Sequence, residues 1–123
     1  MSTGIHDYRD LIVWQKGIML TKAIYSLTRA FPKHETFALA NQLQRAAVSV
    51  PSNIAEGQAR QHTGEFRHFL YLALGSLAEV DTQVTIAQEL EYVSLDDCRQ
   101  INALVTEMRK MLYTLISRLP SAR

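Results

Sequence analysis

Apolar residues recur every three or four positions through most of the chain, the period of one buried helix face. In the first stretch Val13, Gly17, Leu20, Ile24, Leu27 and Phe31 form one stripe, and Leu11, Trp14, Ile18 and Tyr25 form a second beside it. An apolar face this wide predicts burial against two neighbours. The first helix is expected over about 10–30, ended at Phe31-Pro32 because the residue before a proline is pushed out of the α region. Residues 1–9 carry no period and read as a loose arm, with Asp7 or Asp10 available as the first cap.

The second helix is expected over about 36–61, with Glu35-Thr36 as its start. Leu39, Leu43, Ala46 with Ala47, Val50 and Ile54 mark its buried face. Pro51 lies inside the pattern and predicts a kink. Proline removes the hydrogen bond to the carbonyl four residues back, that of Ala47, which leaves an acceptor for Ser49, Ser52 or a water. The alternative is two separate helices with Ser52 as a fresh N-cap.

A third helix is expected over about 63–91, capped by Thr63 with Glu65 in its first turn. Its seam of Phe66, Leu70, Ala73, Leu77, Val80, Val84 and Ala87 is unbroken, and a second stripe of Phe69, Leu72, Ser76, Glu79, Gln83, Ile86 and Leu90 runs beside it. The fourth helix is expected over about 94–119. Ser94 with Asp97 caps it, Ile101, Leu104, Val105, Met108, Leu112, Leu115 and Leu119 form its stripe, and Pro120 stops it. Short loops make neighbouring helices antiparallel, so the fold class is an all-α, up-down-up-down four-helix bundle in a single domain over 1–123.

The sharper signal lies in a polar stripe on the second helix. Gln42, Arg45, Ser49, Asn53, Glu56 and Arg60 follow the helical period, yet they are not the Lys/Glu set of a solvated face. Ser49 and Asn53 are poor interior helix formers that an exposed face gains little by choosing. Opposite them stand Ser76 and Glu79 on the third helix. Together these eight residues are expected to form a polar network between helices or between subunits, in which Arg45, Asn53, Glu56, Ser76 and Glu79 are largely buried and Glu79 is the partner of Arg45. Ser76 and Asn53 are short enough to reach the acceptor freed by Pro51. Gly75 beside Ser76 is expected to permit close helix approach, and Pro51, Gly57 and Gly75 are the structural positions of the set. A plain solvated face is the competing reading.

Composition narrows the function classes. At 123 residues with 47% hydrophobic and 20% charged residues, the chain can bury a core without staples. A net charge of +1 argues against strong nucleic-acid binding, although residues 1–62 hold seven Lys/Arg against four Asp/Glu while 63–123 hold six against eight. A lone Cys98 forms no internal disulfide, and no stretch reads as a signal peptide or membrane span, so the expected compartment is the cytoplasm.

Catalytic and metal signatures are absent from the sequence. Glu65 with His68 makes one Glu-x-x-His pair, whereas a di-metal bundle needs a second pair and two more inward glutamates. His6, His34 and His62 have no ligand-spaced partner, and no nucleophile elbow or phosphate loop appears. No catalytic residue, cofactor, metal or small-molecule substrate is therefore expected.

The segments Leu43–Arg60 and Glu65–Gln83 carry a family likeness. Arg45-Ala46-Ala47, Ser49-Val50-Pro51, Asn53-Ile54-Ala55-Glu56-Gly57, Arg60, Gly75-Ser76-Leu77 and Glu79 are its specific part, supported by Leu11–Gln15 and by Phe31-Pro32 with Glu35. The chain resembles the small four-helix bundle proteins encoded by intervening sequences in bacterial 23S ribosomal RNA genes. That resemblance implies a ring-shaped homopentamer without catalytic activity. Related accessory proteins of diversity-generating retroelements share the bundle and bind nucleic acid and a reverse transcriptase through a basic surface.

Three readings follow. The first is a non-enzymatic, oligomeric interaction module that associates with RNA or a ribonucleoprotein. The second is a weak, sequence-independent nucleic-acid binder, and the third a metal-binding bundle enzyme.

Overall fold

A computed structural model describes residues 7–121, so part of the expected N-terminal arm, including His6, lies outside the described residues. Four helices follow in order: α1 (Ile12–Thr28), α2 (Leu39–Ala59), α3 (Thr63–Glu89) and α4 (Arg99–Arg118). Short 3-10 turns occupy Tyr8–Asp10, Lys33–Glu35 and Asp96–Cys98, and there is no strand among the described residues.

The stripes read from the sequence form the core. Leu20, Ile24, Leu43, Ile54, Leu70, Leu77, Ile101, Met108 and Leu112 are fully enclosed. On α4 the buried line continues from Leu112 to Ile116, four residues on, and leaves Leu115 and Leu119 half-buried at the edge. α2 packs against both α1 and α3, and α4 closes the bundle against α1 and α3.

Helix starts differ from the caps read in sequence. Asp7 caps the first 3-10 turn by accepting the Arg9 N–H at 2.8 Å, while α1 begins after an extended Leu11 and has no side-chain cap. Thr63 is the first residue of α3, and the capping position falls on His62. Glu35 sits ahead of α2, and its carboxylate accepts the Leu39 N–H at 3.1 Å across one turn. Ser94 and Asp97 form the expected reciprocal box, each accepting the other's backbone N–H at 3.0 Å. The box closes the 3-10 turn that leads into α4.

α2 is one continuous helix through Pro51, which removes the reading of two separate helices. Pro51 is buried against α1, where a β-carbon added to Gly17 would come within 3.0 Å of the Pro51 β-carbon. Neither Ser49 nor Ser52 reaches the freed Ala47 carbonyl among the described residues. Thr21 of α1 reaches it at 3.3 Å while donating at 2.8 Å to the Gly17 carbonyl of its own helix.

One end of the bundle is clamped through its loops. The Tyr92 ring lies 5.6 Å from that of Phe31, and its hydroxyl donates to Glu35 at 2.7 Å. α3 ends with Glu91 in the left-handed region (φ 63°), and the Tyr92 N–H returns to the Ala87 carbonyl at 3.0 Å, which satisfies an orphan acceptor of the last turn.

Candidate functional site

The polar stripes of α2 and α3 border one open groove of about 480 Å³, lined by Asn41, Gln42, Arg45, Ser49, Glu79 and Gln83 over Ala46. Small residues bring α2 and α3 together. Ala46 and Ser76 are buried, and at Gly57 an added β-carbon would lie 2.7 Å from the β-carbon of Phe69, so α2 and α3 approach closely there. Close approach leaves no room between the helices for long side chains.

The expected buried network is therefore corrected within one chain. Gln42, Arg45, Glu56, Arg60 and Glu79 are exposed, Ser49 and Asn53 are half-buried, and only Ser76 is buried. Arg45 and Glu79 share the groove, but no ion pair joins them among the described residues.

Local backbone consumes the short polar groups. Ser49 Oγ donates to the Ala46 carbonyl at 2.8 Å, and Asn53 Nδ2 donates to the Ser49 carbonyl at 2.8 Å. Neither reaches the Ala47 acceptor that Pro51 frees.

Glu56 and Arg60 pair instead with each other, at 2.7 Å across one turn. Arg60 also reaches Glu65 at 3.5 Å and lies over the Phe69 ring at 5.0 Å. The hydrogen bonds that Arg60 donates to the Glu56 carboxylate hold its guanidinium above its ordinary value.

Gly75 also departs from expectation. It faces outward with nothing within 4 Å of an added β-carbon, so it permits no close helix approach within the chain. Asn41 and Gln83 belong to the groove but were not among the expected site residues. Gln83 was visible in the second stripe of α3, and its buried Oε1 has no hydrogen-bond partner among the described residues. Asn41 lies four positions before Arg45 and so also keeps the helical spacing of the polar stripe.

Metal and nucleophile candidates disperse. Glu65 is engaged by Arg60, His68 meets the Phe69 ring edge-on at 5.3 Å, and no three His, Cys, Asp or Glu side chains gather among the described residues. Cys98 is fully enclosed, and burial, with Asp97 second, pushes its thiol up, away from the reactive thiolate. No described helix is long and apolar enough to cross a membrane.

Four helices around one core define an all-α bundle protein. The 23S rRNA-intervening sequence protein family matches residues 9–114, and the chain belongs to that family. It is also similar to a crystal structure from Bacteroides thetaiotaomicron VPI-5482, described as a protein with unknown function from the S23 ribosomal protein family. The two share 24% identity with a TM-score of 0.75, over 85% of this chain and 97% of that one, a likeness of fold alone. No curated protein matches the chain.

Proposed function

We propose that the chain is a non-enzymatic, oligomeric interaction module of the cytoplasm, assembled as the homopentamer its family resemblance implies and presenting helical faces to an RNA or ribonucleoprotein. The observation that carries this reading is the state of α1. Its core stripe is covered by the rest of the chain, while Ile12, Ile18, Met19 and Tyr25 stay 54, 39, 46 and 45% exposed on its two flanks. Four large apolar groups on one helix exceed the scattered exposure usual on a monomer, and a second surface that covers them gains roughly 25 cal/mol per Å² of apolar area.

The test places a charge on each flank in separate variants, Ile12→Glu and Ile18→Glu. Circular dichroism should keep its helical signal while light scattering reports a smaller particle for at least one variant. Unchanged mass in both would overturn the reading.

A second reading, a sequence-independent nucleic-acid binder, is favoured by one specific observation. Residues 66–78 and 108–121 contain no Asp or Glu. They lie together because Arg67 near the start of α3 donates to the Leu119 and Pro120 carbonyls at the end of α4. Exposed Arg109 and Lys110 accompany half-exposed Tyr71 and Tyr113, the cation and aromatic mixture on which single strands stack. With a net charge of only +1, such binding should be weak and lost as salt rises. Retention of generic RNA at high salt would promote this reading over the first.

A further inference from the structure

We propose that the groove between the start of α1 and the end of α4 receives the acidic end of α3 from a second copy of this chain. The proposal rests on the assembly reading above and names the two surfaces that meet.

The groove has a volume of about 330 Å³, with Ile12, Met111 and Leu115 on its apolar side and Lys110, Thr114 and Arg118 along one ridge. The ridge residues are spaced four apart on α4, so the two cations stand roughly 12 Å from each other along the helix. Both are exposed, and neither has an ion-pair partner among the described residues. An apolar slot edged by two free cations is complementary to apolar side chains flanked by carboxylates.

Such a surface exists elsewhere on the same molecule. Ile86 and Leu90 lie one turn apart near the end of α3 and are 42 and 50% exposed. Glu89 and Glu91 flank Leu90, both exposed and both without an ion pair among the described residues.

Glu91 sits at the turn that ends α3. It holds the left-handed conformation at φ 63°, where a side chain costs roughly 1 to 2 kcal/mol that glycine avoids. That conformation closes the end of α3 through the Tyr92 N–H, but the carboxylate makes no side-chain hydrogen bond or ion pair among the described residues and so stays available to a second chain.

The two surfaces cannot meet within one chain. The start of α3 lies beside the end of α4 through Arg67, and Ile86 stands roughly 30 Å further along the same helix. A contact between unlike surfaces of identical chains is head-to-tail, and it closes into a ring when the rotation between neighbours allows.

Charge exchange tests it by light scattering on the full chain at low salt. Lys110→Glu with Arg118→Glu, and separately Glu89→Lys with Glu91→Lys, should each lower the solution mass toward the 14.0 kDa of one chain while keeping the helical signal. A chain carrying all four substitutions should regain the wild-type mass, because each reversed face then meets a reversed face; a pair that merely damaged folding would not be rescued. Wild-type assembly indifferent to both pairs, or no rescue in the fourfold variant, would overturn this contact and leave the assembly reading standing. A wild-type chain that is itself a single 14.0 kDa particle would instead overturn the reading on which the contact rests.

Discussion

Thr21 on α1 supplies the hydroxyl that approaches the Ala47 carbonyl at 3.3 Å, the acceptor that Pro51 leaves open inside α2. Because Pro51 also packs closely on Gly17, the missing backbone bond and a close α1–α2 approach coincide, and the hydroxyl comes from the neighbouring helix at that point. Thr21→Val keeps the shape and removes a hydroxyl whose single proton is shared between the Gly17 carbonyl at 2.8 Å and the Ala47 carbonyl at 3.3 Å, so urea denaturation should show a loss of about 0.5 to 1.5 kcal/mol, the net worth of one hydrogen bond. Pro51→Ala restores an N–H for Ala47. Thr21→Val should therefore cost less in that background, and an equal cost in both would refute the link.

Two glycines with opposite surroundings give opposite expectations. Gly57→Ala drives a β-carbon to 2.7 Å from Phe69 and should destabilise by about 1 to 3 kcal/mol through overpacking. Gly75→Ala meets nothing within 4 Å and should stabilise by up to about 1 kcal/mol, the helix propensity gained. Thermal or urea melts of the two variants shifting in the same direction would contradict the packing described.

Much of the core was legible from periodicity because burial follows the helical repeat directly. Val13 to Leu27 on α1, Phe31 just beyond it, and Leu70 to Ala87 on α3 fall on the enclosed side as spaced in the sequence. The polar stripe was legible as a face but not as a network, because period reports direction and not the distance to the next helix. That distance is set by Ala46, Gly57 and Ser76, whose smallness brings α2 and α3 together and leaves Arg45 and Glu79 outside. Thr21 carried no signal at all, since a threonine on a helix flank acquires its role only from the carbonyl that another helix places beside it. The capping residues were misplaced by one to a few positions where a 3-10 turn precedes the helix, at Tyr8–Asp10 and Asp96–Cys98.

The exposure of Arg45 yields a third expectation. With no ion pair among the described residues, Arg45→Ala should change chain stability by under about 1 kcal/mol, the range of a surface charge. Denaturation midpoints at equal slope measure it. A loss of several kcal/mol would place Arg45 in a buried pair across subunits.

The clamp at the loop end sets a pH dependence. The Tyr92 hydroxyl, and after it the Leu39 N–H, hold the Glu35 carboxyl below its ordinary range, and the same hydrogen bond raises the Tyr92 phenol. A depressed carboxyl contributes stability that is present above its unfolded value of about 4.3 and is lost as pH falls through the folded value. The raised phenol contributes below about pH 10 and is lost as pH rises through its folded value. Tyr92→Phe should therefore flatten both limbs of the stability profile. Parallel wild-type and variant curves from urea melts across pH would contradict the clamp.

Assembly into a discrete oligomer is the proposal on which the functional reading rests, and the mass of the wild-type protein in solution decides it. Native mass spectrometry over a range of micromolar concentrations should give one dominant species containing a fixed number of 14.0 kDa chains, five for the expected ring, that resists dilution. A single species of one chain at every concentration would contradict the account.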